Sequence, residues 1–123
     1  MIRMGIGYDE VSKYKPDIVY LNMTALGGPK PGPWMHYPGF DPMVQGSVGI
    51  QMRYAGEGNR PILHGWASCI DYITGYSGTL GAALALFRLK RSGASNGGAY
   101  VQTSLAHGGQ LVQAPFMYSS EKA

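Results

Sequence analysis

Asp71 is the only acidic residue between Glu57 and Glu121, and it heads a run of small and apolar residues, Cys69-Ile70-Asp71-Tyr72-Ile73-Thr74-Gly75-Tyr76-Ser77-Gly78-Thr79-Leu80-Gly81. A carboxylate in that position has two uses. It can accept hydrogen bonds from the free amides of a helix start and complement the positive end of the helix dipole. Ionised, oriented and shielded from water, it can instead act as a nucleophile. Residue type and position alone favour the cap, which needs no chemistry. Behind Asp71, Gly75, Gly78 and Gly81 recur every three residues, with Ser77 and Ala82 nearby. Glycine inside a helix needs a packing reason, so the spacing predicts tight packing against a strand or another helix. Room for a bulky ligand beside Asp71 is the alternative, and the two are compatible.

Other chemistries find less support. His36, His64 and His107 are dispersed, and none has a histidine, cysteine or carboxylate at metal-ligand spacing, so no metal centre is expected. Gly27-Gly28 lacks the GxGxxG spacing of a dinucleotide loop, and Gly75-Tyr76-Ser77-Gly78 lacks that of a serine nucleophile elbow. Cys69 is the single cysteine, which excludes a disulfide framework and suits a reducing cytosol. Arg88, Lys90 and Arg91 form the one tight basic cluster. A helix C-terminus explains it better than nucleic acid, which calls for a longer basic stripe with interleaved aromatics. The N-terminus lacks a signal-peptide core, and the apolar stretch over 80–87 is too short to span a bilayer. The expectation is a cytoplasmic protein that binds neither nucleic acid nor membrane.

The elements that must position Asp71 follow from turn signals and periodicity. Tyr8–Lys15 has Asp9 and Glu10 early and Lys13 and Lys15 late, the polarity of a short helix, which Pro16 ends. Asp17–Thr24 reads as a strand around the apolar run Ile18-Val19-Tyr20-Leu21. Ala25–Gly39 is a loop rich in glycine and proline. Asp41-Pro42 opens a helix to about Tyr54, with Asp41 as its N-cap, and Gly46 and Gly49 inside it predict close backbone contact. Ala55–Ser68 is loop. The longest helix runs from Asp71 to Arg91 and stops at Ser92-Gly93. A turn over 94–98, a strand over Ala99–Thr103 and a helix from Ser104 to about Gln113 complete the chain, with Pro115 ending that helix.

With 123 residues, the chain is at most a single small domain spanning 1–123, and the element order indicates an α/β layer structure. Two strands make a poor sheet, because an isolated pair cannot bury both faces and leaves both edges open. Charged residues amount to 14%, against about 25% in an average globular chain, so part of the surface is expected to be buried against another chain, a ligand or a second copy.

Several segments, in order, resemble the class III CoA-transferases, the group of formyl-CoA transferase and carnitine CoA-transferase. Met4-Gly5-Ile6-Gly7-Tyr8-Asp9-Glu10 through Pro16-Asp17-Ile18-Val19-Tyr20 is similar to the family's opening helix and strand. Thr24-Ala25-Leu26-Gly27 is similar to the loop after that strand, and Pro38-Gly39-Phe40-Asp41-Pro42-Met43-Val44-Gln45 to its PGYDPLVQ. Ile70-Asp71-Tyr72-Ile73-Thr74-Gly75 resembles its D-x-x-TG motif, Arg91-Ser92-Gly93 its RTG turn, and Tyr100-Val101-Gln102-Thr103-Ser104-Leu105 its VDVSLLD. Family members are much longer, and the resemblance covers only their middle.

That resemblance implies a partial large domain of the family fold, with few strands and long helices, completed by self-association or a complementing chain. It implies that Asp71 matches the aspartate that attacks acyl-CoA and carries CoA as an aspartyl thioester before a carboxylic acid takes it. It also implies CoA contact from the loop over 26–32, chiefly Leu26, Gly27 and Gly28. CoA and acyl-CoA would be substrates, with no covalently bound cofactor. The related acyl-CoA racemases place a histidine where this chain has Phe40, which has no proton to exchange, so racemisation is the weaker expectation. A non-catalytic oligomerising or CoA-binding module that keeps the fold fragment is the stronger alternative.

Overall fold

The computed structural model describes residues 2–28, 30, 32–65, 68–92 and 97–117. After a short 3-10 turn at Ile2–Met4 come helix α1 (Tyr8–Tyr14), strand β1 (Val19–Thr24), helices α2 (Asp41–Ser47), α3 (Ile50–Ala55) and α4 (Cys69–Ser92), strand β2 (Ala99–Ser104) and helix α5 (Leu105–Met117). The expected stop at Gly93 and most of the turn over 94–98 lie outside the described residues.

β1 and β2 pair in parallel, in register from Val19 opposite Ala99 to Thr24 opposite Ser104. Adjacent parallel strands need a long crossover, and α2, α3 and α4 supply it. α4 runs back along one sheet face. A Cβ on Gly81 would sit 2.7 Å from Val101 Cγ1, and one on Gly78 3.2 Å from Leu21 Cδ2 and 3.3 Å from Thr103 Cγ2. One turn nearer its start, the Thr74 hydroxyl donates to the Ser104 carbonyl at 3.4 Å. The N-terminus of α4 therefore lies at the carboxyl ends of both strands, where open α/β sheets hold their ligands. On the opposite face, Tyr20 and Tyr100 stack with ring centroids 6.0 Å apart, and Tyr8 of α1 packs against both.

The core is small and sits under the start of α4. Val44, Ile50 and Ile70 are buried together, with Leu26, Val48, Cys69, Leu105 and Ala106 packed around them. α5 reaches this core by two glycines. A Cβ on Gly108 would collide with the Thr74 hydroxyl, and one on Gly109 would come within 2.8 Å of Val48 Cγ2.

Several expected boundaries change. The helix expected to run from Asp41 to Tyr54 is broken in two, because Gly49 adopts the left-handed conformation at φ 83. Gly49 thus serves conformation, not close contact, since a Cβ there would meet nothing within 4 Å. α1 stops at Tyr14, short of Lys15, and α4 begins at Cys69, two residues before Asp71. α5 runs through Pro115 to Met117 instead of stopping near Gln113. Proline in the last turn forfeits little of the ladder, and Gln113 fixes that stretch by donating to the Val48 carbonyl and accepting from Arg53 Nε at 2.9 Å.

Candidate active site

Cys69, Ile70 and Asp71 form the first turn of α4, whose leading amides have no partner within the helix. The side chain that satisfies two of them comes from another helix. Asp41 Oδ2 accepts from the Ile70 amide at 2.8 Å and from the Asp71 amide at 3.1 Å. Asp41 therefore does not cap its own helix as the Asp41-Pro42 pair predicts. Phe40 holds that N-cap position without a side-chain bond, and Asp41, one residue on, turns its carboxylate across to α4.

Asp41 is 3% exposed, and a buried carboxylate needs its remaining oxygen satisfied. Gln45, one turn along α2 and fully buried, donates Nε2 to Asp41 Oδ1. The same amide group clasps the chain ahead of α4, donating to the His64 carbonyl at 3.2 Å and accepting the His64 amide at 3.0 Å. Two polar residues four apart thus tie α2, the loop before α4 and the start of α4 together.

With those amides taken, the Asp71 carboxylate has no hydrogen-bond partner among the described residues, and its side chain is exposed. Partial desolvation, then the negative charge of Asp41, hold its carboxyl above the ordinary value of 3.8. Exposure keeps the effect small. The Cys69 thiol is raised above 9.0, first by burial and then by Asp41, so at neutral pH it stays protonated. Of the three spaced glycines, Gly78 and Gly81 serve packing against the sheet. Gly75, one turn beyond Asp71, differs: a Cβ there would meet nothing within 4 Å. The stretch beside Asp71 is thus the open part of the helix.

The loop after β1 lies at the same end of the sheet, with the Ala25 carbonyl accepting the Ala106 amide at 3.0 Å. Its candidates divide. Leu26 packs against the core, Gly27 is pressed on Thr24, whose Oγ1 would be 2.9 Å from an added Cβ, and Gly28 faces open space. A groove of about 500 Å³ lies elsewhere, on the opposite sheet face, lined by Tyr8, Tyr20, Asn22 and Tyr100 among others. Asp9 and Glu10 of α1 also line it, and Asp71 does not. Among the described residues no group of three histidine, cysteine or acidic side chains gathers as a metal site. No described helix is long and apolar enough to cross a membrane.

Sequence reasoning missed the Asp41–Gln45 pair because Asp-Pro reads locally as a helix start. The usable signal was Asp41, Val44 and Gln45 at i, i+3 and i+4, the spacing of a buried face, with two polar residues on it.

A family model described as CoA-transferase family III matches residues 1–122. The CoA-transferase/lyase DddD of Marinomonas sp. is 29% identical over 118 residues, 96% of this chain and 14% of that protein. Acetyl-CoA:oxalate CoA-transferase of Acetobacter aceti is 32% identical over 108 residues, 88% of this chain and 26% of that protein. The chain thus spans about a quarter or less of the length of these curated relatives. Among solved structures, Rv3272 from M. tuberculosis superposes with a TM-score of 0.81 at 23% identity, over 95% of this chain and 31% of that one. A CAIB/BAIF family protein from Brucella suis does so at 0.80 and 24%, over 93% and 29%. The shared fold is mixed α/β, and the chain corresponds to part of the neighbours' structures.

Proposed function

The chain belongs to CoA-transferase family III, and from that premise we propose that residues 1–123 are the nucleophile-bearing fragment of a CoA-transferase large domain, moving CoA between an acyl-CoA and a carboxylic acid through Asp71. The observation that carries this is the Asp71 carboxylate itself. It is exposed, free of hydrogen bonds among the described residues, held at the carboxyl end of the sheet, and flanked by open space at Gly75.

The Asp71 carboxylate adds to the thioester carbonyl, the C–S bond breaks, and CoA leaves as thiolate, giving an acyl-aspartyl anhydride. The thiolate then attacks the aspartyl carbonyl, releasing the donor acid and leaving an aspartyl-CoA thioester. An acceptor carboxylate attacks that thioester, expels CoA and is recaptured by it, which restores the Asp71 carboxylate. Splitting one acyl transfer into such steps is the gain from a covalent nucleophile. Gly28 and the adjoining loop are the CoA-contact candidates. Leu26 and Gly27 would contribute backbone, since their other surfaces are occupied.

The test is a CoA-sized mass gain on the peptide carrying Asp71 after incubation with acyl-CoA, converted by hydroxylamine to the aspartyl hydroxamate. It is run on this chain alone and with the remaining segments of the Acetobacter relative supplied in trans. No adduct in either arrangement overturns the catalytic proposal.

A second proposal rests on a different observation. Tyr72, Tyr76, Leu80, Leu84 and Phe87 are large, apolar and exposed along α4. A contiguous run of large apolar side chains left uncovered marks an interaction surface. An oligomerising or CoA-binding module, with a second copy or a complementing chain over that face, accounts for this without chemistry.

A further inference from the structure

We propose that Asp41 is a positioning residue for Asp71, fixing the first turn of α4 from a neighbouring helix so that the Asp71 carboxylate is left free of the amides it would otherwise cap. The inference rests on the reading of Asp71 as the nucleophile for its functional meaning, although its geometry stands alone.

An aspartate in the first turn of a helix ordinarily spends its charge on nearby amides and on the dipole. Here the Ile70 and Asp71 amides both point to Asp41 Oδ2, at 2.8 and 3.1 Å. Asp41 cannot leave them readily, because its other oxygen is held by the buried Gln45, whose amide is itself locked to both backbone atoms of His64. The result is a division of labour between two carboxylates. The buried one neutralises the helix start, and the exposed one keeps its lone pairs for an incoming carbonyl.

Charge reinforces the division. On the elements packed against this end of α4, the ionisable side chains are Asp41 of α2 and His107 of α5, with Cys69, Tyr72 and Tyr76 on α4 itself and His64 on the preceding loop. Desolvation raises the Asp71 carboxyl first, and of these groups Asp41 raises it further. Nucleophilicity rises with basicity within a class of nucleophile, as it does for thiolates. A carboxylate spared from capping is thus a better nucleophile than one that caps.

The test compares Asp41→Asn and Asp41→Ala with the unaltered chain, reading the Asp71 carboxyl carbon by NMR titration and the Ile70 and Asp71 amides by hydrogen exchange. Asp41→Asn keeps an acceptor oxygen but loses the charge. The Asp71 titration should move to lower pH, with exchange at the two amides little altered. Asp41→Ala removes the acceptor, and exchange at those amides should quicken about tenfold, the loss of a capping bond. An unmoved Asp71 titration in Asp41→Asn together with unchanged exchange in Asp41→Ala overturns the proposal. If Asp41→Ala does not fold, the decision passes to Asp71→Asn, in which the amide protons of residues 70 and 71 must still shift as a carboxylate titrates. Absence of that shift likewise overturns it. None of these readouts needs acyl-CoA, so a failed CoA adduct refutes the transferase reading and leaves this one standing. In an assembly that does form the adduct, Asp41→Asn should carry the acidic limb of its pH profile downward with the Asp71 titration.

Discussion

Thr74, Gly78, Gly81 and Ala85 run along one side of α4, and Tyr72, Tyr76, Leu80, Leu84 and Phe87 run along the other, which carries charge only near its end, where Arg91 lies over the Phe87 ring; only the first side is covered by this chain. The covered side is made of small residues because the sheet lies close, with Val101 and Leu21 occupying the space a side chain would need. The uncovered side carries the large residues that such a helix would present to a partner of ordinary shape. The start of the helix differs again. Asp41, Gln45, Gly108 and Thr74 complete its support from within the chain. Among the described residues, the chain thus braces the turn that bears Asp71 and covers one side of its helix.

The strongest way to break this contrast is to put bulk on the covered side. Gly78→Leu should lower stability by about 3 kcal/mol, the upper range for overpacking, seen as a fall in the denaturation midpoint. Leu84→Gln on the other side, where the residue is 59% exposed, should stay within about 0.5 kcal/mol in the monomer. Equal losses at the two sites would remove the distinction. The uncovered side is tested by association. If a second copy covers it, sedimentation should show self-association of the unaltered chain. Leu80→Gln with Leu84→Gln should then weaken it by at least about tenfold, since each buried leucine contributes roughly 1.5 to 3 kcal/mol. A monomer throughout would leave a complementing chain as the cover.

Much of this was legible in sequence. Apolar β-branched runs marked both strands to within two residues, and the small-residue spacing of Gly78 and Gly81 marked a helix pressed against them. The misreadings share a cause, which is that local signals were taken to act locally. Asp41-Pro42 looked like a cap for its own helix, yet the carboxylate reaches a helix that starts 28 residues later in the chain. Gly49 looked like a contact glycine and is a hinge between two short helices, a choice that depends on how Ile50 and Val44 both enter one core. Pro115 looked like a stop, but packing of α5 on Val48 and Ile70 outweighs one lost bond. At Asp71, sequence posed cap against nucleophile. The geometry hands the capping to Asp41, a long-range contact that no window of sequence contains.

The contrast also sharpens within the first turns. Gly75→Ala fills a position that meets nothing within 4 Å, so it should stabilise the chain by about 0.5 to 1 kcal/mol through helix propensity alone. If the same space receives acyl-CoA, that gain comes with slower adduct formation at Asp71, measured side by side.

Asp71 itself gives the smallest expected effect, and its sign decides between two accounts of the helix start. Its folded carboxyl lies above 3.8, with desolvation and then Asp41 as causes. A carboxyl raised on folding contributes stability that is fully present below its unfolded value and is lost as pH rises through its folded value. Asp71→Asn carries no charge and escapes that loss. The melting temperature of the variant should thus match the unaltered chain in acid, rise above it as pH passes upward through the folded value, and then stay level. Were Asp71 the cap and the dipole its dominant partner, its carboxyl would be lowered, and the variant would fall below the unaltered chain over the same range. The direction of that difference therefore shows which of the two aspartates the helix start is built on.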